Sequence, residues 1–360
     1  MNILFVYYYP SGGVETLARQ RSDALKKHGI DFHFLYYKQG PGIQNIETNS
    51  TFITNADKEI EEIVAKGNYE VIIVCSDHSF LPRIRKMNFK GKLIYEVQGL
   101  GSFLEAEEWL RQAQQHVKEN ADAILLPKTP HLIRLIEKYY PLMKKYSFHN
   151  CIDTNIFSYR TTNKGEKHPI IGWVGRIEEN KNWKGFLDIS YNLIKTNPHI
   201  KLWMFIDSSL TDPSQKEQFE NTLNQYKLMD NLNIHDNVPH QKMPEYYSII
   251  RDSGGFLCST SKVEGFGYAI VEGMSCRCPI LTTDSDGIKS FIFHNYTGKI
   301  YPQNNIQAAI EESKSLLSNE LLREKISLNA LKLIYAQFTP RKYSKNFLKM
   351  LRDLGVYVTG

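Results

Sequence analysis

At 360 residues the chain is long enough for two domains of ordinary size. Its 42% hydrophobic and 23% charged content is that of a folded globular protein and excludes disordered and fibrous classes. A formal net charge of +5, spread over the whole length, gives no reason to expect nucleic acid.

The five cysteines (Cys75, Cys151, Cys258, Cys276 and Cys278) are odd in number, and several sit in apolar runs. That fits reduced thiols in a cytosol better than a disulfide framework. Cys276-Arg277-Cys278 lacks the spacing and the partner pair of a zinc site. Met1 to Val6 enter a strand pattern with no basic region or cleavage site, and no apolar run approaches the ~20 residues that span a bilayer. The expected location is cytoplasmic, with contact at the inner face of a membrane left open.

Asn2 to Tyr9 is an apolar and aromatic run expected to form a buried parallel strand, ended by Pro10-Ser11-Gly12-Gly13. Helical spacing follows over Glu15 to Lys27, and Ile30 to Tyr37 reads as the next strand. A strand–helix–strand unit predicts an α/β protein with a parallel sheet. The first turn is not GxGxxG, so the dinucleotide fingerprint is absent. Further strands are predicted at Val71 to Cys75, Leu93 to Val97 and Ala123 to Pro127. Asp77-His78 and Gln98-Gly99 fall at the carboxyl ends of the first two, where open α/β sheets bind ligands. Between them Arg83, Arg85, Lys86, Lys90 and Lys92 stand without an intervening acid. A solvated face is the bland reading of that run; an anionic membrane surface or a phosphorylated acceptor is the sharper one. Residues 131–146 add basic and aromatic character, but Pro141 breaks the helical pattern. Residues 158–168 are polar and aperiodic, as a linker would be.

The second half opens with a strand at Pro169 to Val174, then Gly175-Arg176, then Lys181 just before a helix at Trp183 to Lys195. A strand at Ile200 to Ile206 ends in Asp207-Ser208, a helix is predicted over 213–230, and a strand at Leu232 to His235 leads to the loop Val238-Pro239-His240. A short helix at Met243 to Ile250 precedes the apolar run Gly255 to Cys258, and Pro279 to Leu281 reads as another strand. Asp284-Ser285-Asp286 has the look of a metal-binding Asp-x-Asp, yet an aspartate-stabilised turn explains it, and no metal site is expected. Helices over about 306–334 and 341–354 read as packing elements.

Between the last two strands Glu264 stands before Gly265-Phe266-Gly267, Tyr268 and Ala269 open an apolar helical pattern, and Glu272 lies a turn or so into it. A strand, a glycine-bearing turn and a helix N-terminus together suit phosphate, because backbone N–H groups and the helix dipole point the same way. Phosphate on that turn would set Glu264 beside the group it carries. Glu272 would lie further along the ligand, where a carboxylate can accept two bonds from a diol such as ribose.

Glu264-GFGYAIV-Glu272 resembles the E-x7-E motif of family-4 retaining glycosyltransferases (glycosyl transferases group 1). Gly175-Arg176 with Lys181 resembles the same family's GR…K element, in the right order and at the expected separation. GGVE at 12–15 is similar to the family's first loop, SFHNCIDTNIF at 147–157 to its Asn-x-x-Asp segment, and Asn295-Tyr296-Thr297-Gly298 continues the pattern. The resemblance implies a GT-B architecture, two doubly wound Rossmann-like α/β domains facing a central cleft. Residues 1–157 would be the acceptor-side domain, 158–168 the linker, 169–338 the nucleotide-sugar domain, and 339–360 a C-terminal helix crossing back to the first domain.

The implied reaction moves a hexosyl unit, with retention, from a nucleotide diphosphate sugar to an acceptor hydroxyl by front-face attack. UDP is favoured and GDP is open; the acceptor is a glycan, a lipid-linked sugar or a small molecule. The nucleotide sugar is a co-substrate, and neither a cofactor nor a metal is implied. By resemblance Arg176 and Lys181 hold the diphosphate, Glu264 the sugar hydroxyls and Glu272 the ribose. Gly12, Gly13, Gly175, Gly265, Phe266, Gly267, Tyr268 and Ala269 complete the donor site, and Val238 lies in the loop beside the nucleobase. Gln98 departs from the histidine usual at its position: glutamine can hydrogen-bond but not titrate. Gln98 and His78 are assigned to the acceptor or sugar side, and Asp207 stands where the family has a glycine-rich turn. A nucleotide-sugar epimerase or hydrolase of the same architecture, or a non-catalytic nucleotide-sugar-binding protein, are the alternatives.

Overall fold

The computed structural model describes residues 1–46, 50–161 and 166–358. The chain divides into two compact units, Met1–Asp153 with Phe338–Gly360, and Thr154–Gln337. Part of the expected linker, residues 162–165, lies outside the described residues.

The first unit runs β1 (Asn2–Tyr7), α1 (Gly12–Lys26), β2 (Asp31–Tyr36), β3 (Thr51–Ile53), α2 (Asp57–Lys66), β4 (Tyr69–Cys75), α3 (Phe80–Lys86), β5 (Lys92–Glu96), α4 (Phe103–Gln112), α5 (Gln114–Asn120), β6 (Ala123–Leu126), α6 (Pro130–Tyr139) and β7 (Lys145–Ser147). The second runs β8 (Ile170–Val174), α7 (Trp183–Thr196), β9 (Lys201–Ile206), α8 (Pro213–Tyr226), β10 (Leu232–Asp236), α9 (Met243–Asp252), β11 (Phe256–Ser259), α10 (Tyr268–Ser275), β12 (Ile280–Thr283), β13 (Lys299–Tyr301), α11 (Ile306–Ser318) and α12 (Glu320–Gln337). The last helix, α13 (Pro340–Asp353), belongs to the first unit.

Each unit has one parallel sheet, ordered β3-β2-β1-β4-β5-β6-β7 in the first and β10-β9-β8-β11-β12-β13 in the second. The centre of each sheet is buried on both faces, which is why its strands read as unbroken apolar runs: Ile3 to Val6 and Val71 to Cys75 are all 0% exposed. Strand order reverses between β1 and β4, and again between β8 and β11. At such a switch point adjacent loops leave in opposite directions and open a crevice at the carboxyl ends of the strands.

Several elements differ from the sequence expectation. Helix α1 starts at Gly12, earlier than expected, and Gly12 keeps the left-handed φ of +60° of a glycine turn, with Gly13 in the first helical turn. Low helix propensity costs little there, because first-turn N–H groups have no intrahelical acceptor anyway. Strands β3 and β7 escaped notice because each is a three-residue edge strand with too little alternation to read. Helix α8 stops at Tyr226, where Lys227 turns left-handed at φ 53°. The span 306–334 is two helices, divided at Asn319, whose side chain accepts from the Leu322 N–H at 2.9 Å.

The basic run on α3 and β5 is less solvated than its sequence suggests. Arg83 pairs with Asp57 at 2.7 Å, and Arg85 with Asp122 at 2.7 Å while also donating to the carbonyls of Phe89, Gly91 and Asn120. Lys92 stands 3.7 Å from the same Asp122. Acids remote in sequence compensate three of the five cations, which weakens the reading of an open cationic face. No helix among the described residues is long and apolar enough to cross a membrane.

Candidate functional site

In the second unit the loops after β8 and β11 meet at the switch point. The turn 176–182 is laced to residues 260–264: Asn180 donates through its amide to the Val263 carbonyl and accepts from the Val263 N–H, each at 3.1 Å. The Lys262 N–H donates to the Asn180 carbonyl at 2.8 Å. Behind them the buried Thr260 hydroxyl accepts from Trp173 Nε1 at 3.0 Å and faces the carbonyls of Lys181 and Asn182, each 2.9 Å away.

That lacing brings together two residues the sequence singled out separately. Lys181 Nζ lies 2.6 Å from Glu264 Oε1, with side chains 22% and 12% exposed. Gly175 permits the approach: a Cβ there would stand 3.2 Å from the Lys181 stem and 2.8 Å from the Trp173 ring. Arg176 is more open and makes a 3.2 Å contact with Glu178.

Beyond Glu264 the backbone turns at Gly267, whose φ of +80° favours glycine, and α10 starts there with no side-chain cap. A helix N-terminus in this state is suited to an anion. One turn in, Glu272 is 4% exposed, and each of its carboxylate oxygens has a hydrogen-bond partner. Its Oε1 is 2.7 Å from His240 Nε2, and its Oε2 accepts from the Tyr247 hydroxyl at 2.9 Å. Burial, then the nearby Glu272 charge, pushes the Tyr247 hydroxyl well above its ordinary pKa, so it remains a donor. Val238 is half-buried in the loop that carries His240.

In the first unit Gln98 is buried. Its Nε2 donates to Glu96 at 2.6 Å, and its Oε1 accepts from Asn150 Nδ2 at 2.7 Å. Glu96 is in turn held by Arg21 through both terminal guanidinium nitrogens, and Arg21 Nε donates to the Tyr343 hydroxyl at 2.7 Å, all within the unit's core. His78 belongs to a different cluster, 3.0 Å from His116 between their Nδ1 atoms and edge-on to Trp109. Burial first, then His116, lowers the His78 pKa, so the ring favours its neutral form. The two residues assigned to the acceptor side therefore sit in separate networks.

Sequence reasoning missed Tyr247, which looked like one more residue of a short amphipathic helix, and it missed the Arg21–Glu96 pair. Only a buried acid in a strand, Glu96 in YEVQ, hinted at a distant cation. Asp284 and Asp286 serve separate turns: Asp284 accepts from the Gln303 N–H at 3.1 Å, and Asp286 stands 3.6 Å from Lys289. Among the described residues no group of three His, Cys, Asp or Glu side chains could hold a metal ion.

With this geometry in hand, residues 157–333 match the family model described as glycosyl transferases group 1. This stretch is similar to that family. Lys181 of the GR…K element and Glu264 of E-x7-E, both within this segment, meet at its switch point. Over 110 residues the chain is 31% identical to an uncharacterized glycosyltransferase of Methanocaldococcus jannaschii, covering 29% of this chain and 31% of that protein. For seven further curated relatives the matched share of their own length is 25% to 47%, so the chain spans less than half of the relatives it matches. Sucrose-phosphate synthase from Thermosynechococcus elongatus superposes with a TM-score of 0.83 at 16% identity, covering 99% of both chains. Anabaena HepE in complex with UDP-glucose gives 0.82 at 14% identity, covering 98% of this chain and 100% of that one. At such identities the likeness establishes the fold, which is GT-B.

Proposed function

We propose that the chain is a retaining, metal-independent glycosyltransferase that moves a hexosyl unit from a nucleotide diphosphate sugar, a UDP-sugar first, to a hydroxyl of a glycan, lipid-linked or small-molecule acceptor. The observation that carries this reading is the Lys181–Glu264 contact, which joins a diphosphate-type cation to a sugar-type carboxylate beside a glycine-bearing helix start. In this reading Arg176 and Lys181 neutralise the leaving diphosphate, a task fixed cations perform without reorganising. Glu264 accepts from sugar hydroxyls, Glu272 from the ribose, and the amides of Gly265 to Ala269, with Gly12 and Gly13, complete the donor contacts. Gln98 and His78 act on the acceptor or sugar side, and the leaving phosphate takes the acceptor's proton.

HepE, a fold relative, has been seen with UDP-glucose, which supports testing UDP-sugars first. The deciding experiment is a thermal-shift panel of UDP, GDP, ADP and their glucose conjugates, in EDTA and in magnesium. A saturating ligand of the native state raises stability by RT ln(1 + [L]/Kd). A selective shift with one base, equal in EDTA and magnesium, is the expected result. No shift, or a shift that needs magnesium, overturns the reading.

A further inference from the structure

Glu272 is a carboxylate with half its acceptor capacity engaged. A carboxylate offers about four lone-pair sites; one on each oxygen is taken, by His240 Nε2 at 2.7 Å and by the Tyr247 hydroxyl at 2.9 Å. Because the carboxylate only accepts, the His240 tautomer is the one with hydrogen on Nε2. Both donors are themselves fixed. Tyr247 is 0% exposed, and the His240 ring packs on Phe157 with centroids 4.7 Å apart. The Phe157 carbonyl accepts from Ser275 Oγ, and Ser275 lies on α10, the helix that carries Glu272. The loop that holds Val238 and His240 is thus tied to α10 at both the edge and the face of one imidazole.

We infer that His240 and Tyr247 are positioning residues, which hold the Glu272 carboxylate so that one acceptor site on each oxygen meets the vicinal hydroxyls of a nucleotide ribose. The inference rests on the donor-site reading above and adds what enforces it. A side chain with no fixed donors would spread over its rotamers, and only a fraction of the population would present both oxygens at once. A role confined to packing would affect every ligand alike, whereas aiming a carboxylate at a diol acts only on ligands that have the diol.

The test measures binding of UDP, GDP and ADP, each beside its 2′,3′-dideoxy counterpart, by calorimetry on the full chain and on Glu272→Ala, His240→Ala, His240→Gln and Tyr247→Phe, with folding checked by thermal melts. For whichever base the parent chain binds, His240→Ala and Tyr247→Phe each weaken the diphosphate by roughly ten-fold, the scale of one hydrogen bond to a charged group. His240→Gln, whose amide still donates, stays within about three-fold of the parent. All four variants bind the dideoxy compound as the parent does. Equal weakening of both compounds, or none, in His240→Ala and Tyr247→Phe overturns the inference. If Glu272→Ala alone discriminates ribose from dideoxyribose, the donor site stands and the positioning role falls. If the parent binds none of the three bases, the donor-site reading itself fails.

Discussion

Lys181 and Glu264 lie 83 positions apart in the chain, yet Nζ and Oε1 are 2.6 Å apart because their loops leave β8 and β11 at the strand-order reversal. The pair is mostly withdrawn from water, where the attraction between opposite charges is less screened. In the proposed donor site the same ammonium would serve the diphosphate and the same carboxylate the sugar.

Lys181→Ala is therefore expected to lower kcat by about two orders of magnitude, the scale of losing one fixed charge stabiliser, with a smaller change in donor KM. Steady-state kinetics of transfer or donor hydrolysis reads this directly. An unchanged kcat in a folded variant removes Lys181 from the diphosphate.

Gly287 supports the same loop from behind. A Cβ there would sit 2.0 Å from the Glu264 carbonyl oxygen, so Gly287→Ala must push the Glu264 backbone away. Donor affinity is expected to fall although residue 287 touches no ligand. Calorimetric titration with UDP-glucose on Gly287→Ala checks it; parent-like affinity would show that the Glu264 loop tolerates displacement.

In the first unit, Arg21 and Glu96 form an ion pair in which both side chains are 0% exposed. Removing one partner strands a buried charge, so Glu96→Leu should cost about 3–5 kcal/mol, whereas Arg21→Met with Glu96→Leu together should cost less. Gln98 loses its carboxylate partner in either variant. Chemical unfolding read by a probe in the first unit gives the two values. A double variant worse than the single one would contradict the stranded-charge account.

Burial, with a lesser effect of Lys128, lowers the His149 pKa to about 4, and the ring packs at a tilt against Phe338 with centroids 4.5 Å apart. The folded pKa lies below the unfolded one, so between pH 6.5 and 4 the unfolded chain binds more protons. Stability from the neutral ring is complete above about pH 6.5 and is lost as pH falls toward 4, by up to about 3 kcal/mol. His149→Gln should flatten the melting temperature against pH over that window. A parent profile already flat there would rule this out.

Much of the site was legible in the order of residues alone. Arg176, Lys181, Glu264 and Glu272 stand in short motifs whose chemistry is local: cations before a helix, a carboxylate on each side of a glycine turn. Gly267 could be read because a left-handed turn selects glycine by backbone sterics alone. Tyr247 and His240 as partners of Glu272, and Arg21 and Asn150 as the ends of the chain through Glu96 and Gln98, could not be read, because these contacts join residues far apart in sequence. The same holds for the basic run, where Asp57 and Asp122 supply charge that no window around residues 83–92 contains.

By itself, then, the sequence determined the alternation of buried strands with amphipathic helices, the parallel α/β class, and the residue types of a phosphate and sugar site. Those follow from side-chain period, burial and turn sterics, which act within a few residues. Only the tertiary structure decided which strands neighbour one another, and so which charges meet. Strand order brings β8 beside β11, setting Lys181 against Glu264, and the packing of α9 and the loop before it on α10 gives Glu272 its two donors. Those pairings are set by loop crossovers and core packing, which no local pattern encodes.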